Sequence, residues 1–225
     1  MLTLKHIAVH HFGGTQADPF ASTKDLSVSA INASHKSRWP DFPSRYQKVL
    51  NDEFSFIGYN ILITPNGDWY QPRAVGEATA AVIGFNESAL SICLAGNFSR
   101  IRGGTTPVDQ PTQAQKDRLR EILKAAVNNK LEELGIFVVP GTILDFAIPR
   151  ILPHRGYTSG TTECFGTALP DSWARDLLIN DVYSQLGLLK ELLATLMKLR
   201  DKLAQRSLAQ KAVGRIGDRG CEGII

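Results

Sequence analysis

Residues 151–166 read Ile-Leu-Pro-His-Arg-Gly-Tyr-Thr-Ser-Gly-Thr-Thr-Glu-Cys-Phe-Gly. They place one histidine, His154, and one cysteine, Cys164, on a stretch rich in Gly, Ser and Thr after an apolar run. A neutral imidazole and a thiolate are donors that suit zinc, a borderline-soft ion. Two donors do not make a site, so a third must come from elsewhere in the chain. The best candidates are His10 and His11, in the Val-His-His that ends the first apolar segment. Lys5 to Phe12 reads as a strand with apolar residues on both parities, hence buried on both faces. Side chains alternate along a strand, so His10 and His11 point to opposite sides and only one can reach a given metal. Alternation does not choose between them. Taken alone, the residues fit a buried, hydrogen-bonded histidine as well as a ligand.

Two histidines and one cysteine would leave the fourth tetrahedral position to water, the pattern of a catalytic rather than a closed structural zinc. Such an ion lowers the pKa of water toward ~7 and polarises an amide carbonyl. The rival chemistry for the same residues is a Cys164/His154 nucleophile pair, as in cysteine peptidases. Other classes fare worse. Gly13-Gly14 and Gly103-Gly104 lack the spacing of a phosphate or dinucleotide loop, and no Gly-x-Ser-x-Gly elbow is present.

The elements that must position these residues read as follows. Leu26 to Lys36 is a helix, and Phe56 to Ile63 a strand. Pro65-Asn66-Gly67-Asp68 is a hairpin signal leading into a return strand over Trp69 to Arg73. Ala89 to Ala95 is a further buried strand, within which Cys93 is a core residue. Thr112-Gln113-Ala114-Gln115 is a capping box that opens a helix. Its apolar face runs through Leu119, Ile122, Leu123, Ala126, Val127, Leu131 and Leu134 to a stop at Gly135. Pro170-Asp171-Ser172-Trp173 starts a last domain helix through Leu178. Strands and helices alternate without a strict βα repeat. The expected fold is therefore α/β: a single domain with a central mixed β-sheet flanked by helices, plus a C-terminal helical tail.

With 225 residues there is room for one well-buried domain and an appendage, here residues 1–180 and 181–225. A net charge of +3 suits a polyanionic partner but is too weak a bias to argue for nucleic acid. Cys93, Cys164 and Cys221 are odd in number and widely spaced, which is no disulfide framework. The start of the chain lacks the pattern of a signal peptide, so synthesis in the cytoplasm is expected, with any action outside it following release. No transmembrane segment is expected: the longest apolar stretch, Leu186 to Leu199, is interrupted by Lys190, Glu191 and Lys198.

Five stretches occur here in an order found in one known family. They are Val9-His10-His11, Gly58 to Ile63 (Gly-Tyr-Asn-Ile-Leu-Ile), Asn66-Gly67-Asp68, Ser91 to Phe98 (Ser-Ile-Cys-Leu-Ala-Gly-Asn-Phe), and Pro153-His154-Arg155 through Cys164. In this the chain resembles the zinc-dependent N-acetylmuramoyl-L-alanine amidases, which include phage endolysin amidases and peptidoglycan recognition proteins. The resemblance covers Leu4 to Leu178. It implies zinc as cofactor, His10, His154 and Cys164 as ligands, and peptidoglycan as partner. It also implies hydrolysis of the amide between N-acetylmuramic acid and L-alanine. Tyr59 matches the family's tyrosine beside the metal. Thr162 stands two residues before the cysteine, where the family has Lys or Thr, and a threonine brings a hydrogen bond but no positive charge. His35 falls where the family has a helix histidine near the substrate groove, although a half-exposed helix residue is an equal reading. Arg155 fits as a structural ion-pairing residue. The chain departs from the family at Ala78-Thr79-Ala80-Ala81, where a substrate-holding histidine is common, and at residues 39–54, read as an insertion lining one wall of the groove. These departures keep open the alternative of a recognition module that binds peptidoglycan without cutting it.

From Val182 the chain reads Val182, Leu186, Leu189, Leu193 and Leu196 at alternating spacings of four and three, with Leu203 in register. A second row is formed by Leu188, Leu192 and Leu199. Such a helix has to be covered, either by its own domain or by self-association, which would make a homo-oligomer through residues 182–213. Gly214, Gly217, Gly220 and Gly223 mark an expected frayed end.

Overall fold

A computed structural model describes residues 2–49, 53–101, 104–157, 162 and 164–217 of the chain. It forms two compact units, Met1–Leu178 and Ile179–Ile225.

In chain order the elements of the first unit are β1 (Thr3–Leu4), β2 (His6–His11), α1 (Val28–Arg38), β3 (Lys48–Val49), β4 (Glu53–Phe54), β5 (Ile61–Ile63), β6 (Trp69–Tyr70), β7 (Ala89–Leu94), α2 (Gln113–Val127), β8 (Ile143–Leu144) and β9 (Ile151–Pro153), before α3 (Trp173–Gly217) begins. Five strands make the central sheet in the order β6-β5-β7-β2-β9. The β5–β6 hairpin is antiparallel and the other pairings are parallel, so the sheet is mixed and flanked by helices as expected. β2 lies inside it, paired with β7 on one side and β9 on the other. This placement explains why its apolar residues fall on both parities: Ile7, Ala8 and Val9 are all fully buried.

The two faces of the sheet differ in what covers them. Ile7, Val9, Ile61, Ile63, Leu90, Ile92 and Leu94 pack with Leu119, Ile122, Leu123 and Ala126 of α2 and with Ala174 and Leu178 at the start of α3. The opposite face carries Leu62 and Cys93 against Val28 and Ile31 of α1. Ser27 caps α1, its hydroxyl accepting from the Ala30 N–H. The Thr112 capping box closes on both sides at the start of α2.

Several boundaries differ from the sequence reading. α2 ends at Val127, and Leu131 and Leu134 belong to a separate 3-10 turn (Leu131–Leu134). Asn129 takes a left-handed φ of 57° between the two, which breaks the register, and Gly135 at φ 76° ends the turn. The long strand expected over Phe56 to Ile63 shortens to Ile61–Ile63, and the return strand to Trp69–Tyr70. The helix expected to end at Leu178 instead runs without a break from Trp173 to Gly217. Gly214 and Gly217 are therefore helical, and the rest of the expected frayed end, with Cys221, lies outside the described residues.

Residues 39–54 also correct the reading. The described part of this stretch includes a two-stranded pair, β3–β4, and lines a cavity of about 800 Å³ with Arg73 and Glu77. Among the described residues of this segment, only Trp39 reaches the groove beside the candidate site. Arg73 is almost fully buried and anchors the segment: its guanidinium donates to the carbonyls of Phe42, Ile57 and Ala78 and pairs with Glu77 at 3.5 Å. Glu77 in turn accepts from the Ser44 hydroxyl and the Arg45 N–H. Every polar atom of the pair is thus engaged, as burial of charge requires.

The second unit is helical over its described length, with Leu189, Leu193 and Leu196 exposed along it. Among the described residues no helix is long and apolar enough to cross a membrane.

Candidate metal centre

The site is built where β2 and β9 end. β2 and β9 run parallel in a register that pairs Val9 with Pro153. The residues that follow, His10 and His154, therefore lie side by side, with ring centroids 4.9 Å apart. His10 pairs in register with Cys93 on its other side. Pro153 opens a 3-10 turn, His154–Gly156, that carries the chain away from the sheet.

Cys164 arrives from a loop that is tied back to this turn. The Arg155 N–H donates to the Cys164 carbonyl at 2.8 Å, and the Arg155 guanidinium donates to Asp171 and to the carbonyls of Gly166 and Leu169. The geometry of Arg155 is thus that of an ion-pairing residue that shapes the loop. Its effect is to bring the Cys164 Sγ to 3.6 Å from the His10 Nδ1.

One donor atom from each of His10, His154 and Cys164 lies within 4.8 Å of the other two. In a tetrahedral zinc site with bonds of about 2.0–2.3 Å, ligand atoms are separated by roughly 3.3–3.8 Å. The 3.6 Å between sulfur and nitrogen falls in that range. His10 is 1% exposed, and its Nε2 has no hydrogen-bond partner. Burial, reinforced by His154 and His11, holds the His10 imidazole well below its usual range and therefore neutral, the form that ligates. Burial pushes the Cys164 thiol up to about 12, against the opposing pull of the His11 backbone and of Arg155. A cation at this point would reverse that preference. The donor set and its spacing fit zinc.

Of the two histidines that strand alternation left open, His10 is the one that lies with His154 and Cys164. His11 faces the other side, where its Nδ1 accepts the Phe98 N–H at 2.9 Å and its ring lies 5.8 Å from that of Phe98. Burial, with Arg155 nearby, lowers its pKa to about 4.

Beside the ligands is an open cavity of about 700 Å³, lined among others by Tyr59, Thr162, His154 and Cys164. The Thr162 hydroxyl accepts from the Cys164 N–H at 3.2 Å, which leaves its proton for another acceptor. The Tyr59 ring lies 5.0 Å from that of His10. Burial, with the Cys93 and Cys164 thiols, raises the Tyr59 phenol well above its usual pKa. Cys93 is a core residue, as the sequence suggested, and its thiol donates to the Leu94 carbonyl at 3.6 Å.

His35 is buried rather than half-exposed. Its Nδ1 accepts the Gly58 N–H at 2.9 Å, and its ring packs edge-on against Trp39 and 5.5 Å from Tyr59. It lines a second cavity, of about 610 Å³, between α1 and the loop after β2. The segment Ala80 to Ile83, noted in the sequence only for lacking a histidine, forms a wall of the metal cavity. Arg38 lines both cavities. Its spacing of three from His35 on one helix was the available signal for it.

Comparison with protein families gives a match to N-acetylmuramoyl-L-alanine amidase over residues 2–167. The chain belongs to the N-acetylmuramoyl-L-alanine amidase family. Solved structures similar to this amidase-family chain include three of this kind. The N-acetylmuramoyl-L-alanine amidase LysC from Clostridium intestinale is 19% identical, covers 82% of this chain and 85% of that one, and has a TM-score of 0.48. An endolysin from a Thermus scotoductus bacteriophage is 20% identical over 79% and 86% of the two chains, with a TM-score of 0.48. The Drosophila peptidoglycan recognition protein SD is 22% identical over 75% and 78%, with a TM-score of 0.47. A comparison with curated protein sequences gives no match.

Proposed function

We propose that this chain is a zinc-dependent amidase that cleaves the amide joining the lactyl group of N-acetylmuramic acid to L-alanine of the peptidoglycan stem peptide. The observation that carries this reading is the convergence of His10, His154 and Cys164 beside an open cavity in a chain of the amidase family.

Bound to these three residues, zinc would supply Lewis acidity toward the amide carbonyl and a water of lowered pKa. The remaining work falls to the chain itself. Neutral His10 and His154 and the Cys164 sulfur would hold the ion, and Arg155 fixes the loop that delivers the sulfur. As water adds to the carbonyl carbon, negative charge grows on the carbonyl oxygen. Thr162 has a hydroxyl proton to donate there, and Tyr59, held as a neutral phenol, has another. The bond to nitrogen then breaks, and the amine of L-alanine leaves with the proton taken from the water.

Incubation with purified sacculi tests the proposal. Amidase action releases L-alanine amino termini without new reducing sugar ends. Reducing ends alone would mean a glycosidase, and binding without release would favour a recognition module.

A further inference from the structure

The cavity beside the metal ligands and the cavity between α1 and the loop after β2 share Phe12, Gly14, Thr15, Arg38 and Tyr59 as lining residues. They are two arms of one groove that meet at Arg38 and Tyr59. Among the described residues that line either arm, Arg38 is the one Lys, Arg, Asp or Glu. The described side chains of the groove therefore bring one fixed positive charge beyond the metal cluster, at the junction of its arms.

That charge is not used inside the protein. Arg155, close by, spends its guanidinium on Asp171, Gly166 and Leu169. Arg38, among the described residues, forms no ion pair; its guanidinium lies over the Trp39 ring, 5.4 Å from the centroid. Stacking on an aromatic face holds the planar fork while leaving its N–H edge open to a ligand. The side chain is exposed, and it lines both arms, which places it at their junction. Thr162 brings no positive charge to the reacting end.

We propose that Arg38 docks a carboxylate carried by the first residues of the substrate's peptide arm, and so makes the groove selective for anionic over carboxyl-amidated stem peptides. A carboxylate matches the guanidinium fork in a bidentate contact, which a primary amide cannot reproduce with both of its atoms. This inference rests on the amidase reading for the identity of the substrate but not for its test.

The test uses the full chain with N-acetylmuramoyl dipeptides whose second residue is glutamate, its α-carboxyl either free or amidated. Calorimetric binding to zinc-loaded protein, and turnover, are measured for wild type, Arg38→Ala and Arg38→Lys. Wild type is expected to bind the free carboxylate roughly 10- to 100-fold more tightly than the amide. Arg38→Ala loses that preference by weakening only the free-carboxylate ligand, with KM raised and kcat unchanged, and Arg38→Lys restores part of it. A wild type that binds both ligands equally, or an Arg38→Ala variant that weakens both alike, overturns the proposal. If wild type binds selectively without turnover, the amidase reading fails and the role of Arg38 stands. If it turns over both ligands at equal kcat/KM, the reverse holds.

Discussion

The Cys164 Sγ lies 3.6 Å from the His10 Nδ1, although 154 residues separate them in sequence. The approach depends on two separate devices: a strand end that presents His10, and a loop that Arg155 lashes down to present Cys164. Neither residue could serve as a ligand without the other device. Purified wild-type protein should therefore carry near-stoichiometric zinc by elemental analysis, and the His154→Ala, Cys164→Ala double variant should carry none. Full retention of zinc by that variant would place the metal elsewhere.

Tyr59 packs against the cluster that holds Cys93, and its ring stands 5.0 Å from that of His10. If its hydroxyl turns to the substrate, Tyr59→Phe lowers turnover by ~10²-fold or more with metal content intact. Cys93→Ala is the control: it alters that cluster and should leave turnover within a few-fold of wild type. An unchanged rate in Tyr59→Phe reduces the tyrosine to packing.

The sequence made much of this legible where local chemistry is self-sufficient. The capping box at Thr112 and Gln115 is complete within four residues, and the apolar segment of β2 announces burial on both faces without reference to the rest of the chain. What stayed hidden depends on contacts distant in sequence. Only the Phe98 N–H, which donates to His11, and the β9 register, which aligns His154 with His10, separate ligand from structural histidine. Arg73 reads as an ordinary charged residue until Phe42, Ile57 and Glu77 close around it. The run of leucines through Leu134 looked like one helix because periodicity does not register the turn at Asn129.

His35 sets a pH dependence of stability. Burial, then Arg38 and Arg73, lower its pKa to about 4, and its Nδ1 needs to be unprotonated to accept the Gly58 N–H. Between about pH 4 and the ordinary histidine value near 6.5, the unfolded chain binds a proton that the folded chain refuses. Stability is thus fully present above about 6.5 and falls as pH drops toward 4, with up to roughly 3 kcal/mol from this group. His10 and His11 act in the same sense, so the slope should be compared with that of His35→Gln, which keeps an acceptor but does not titrate. Urea unfolding from pH 7 to pH 4 should be flatter for the variant. Parallel curves would show that His35 does not titrate as its surroundings dictate.

Among the described residues the second unit has no other element of its own to cover Leu189, Leu193 and Leu196. Exposed leucine rows on an isolated helix favour association. Light scattering should give a multiple of the chain mass for the full-length protein and the monomer mass for a version ending at Asp181. Monomers in both cases would exclude self-association through residues 182–213.

The central claim is that zinc held by His10, His154 and Cys164 drives cleavage of the muramoyl–alanine amide. The most direct measurement strips the protein of metal, titrates zinc back, and reads L-alanine amino termini released from sacculi. Activity should be absent at first, rise in proportion to zinc, and level off at one equivalent per chain, with His154→Ala and Cys164→Ala flat throughout. Full activity in the stripped protein under chelator, or in either variant, would contradict it.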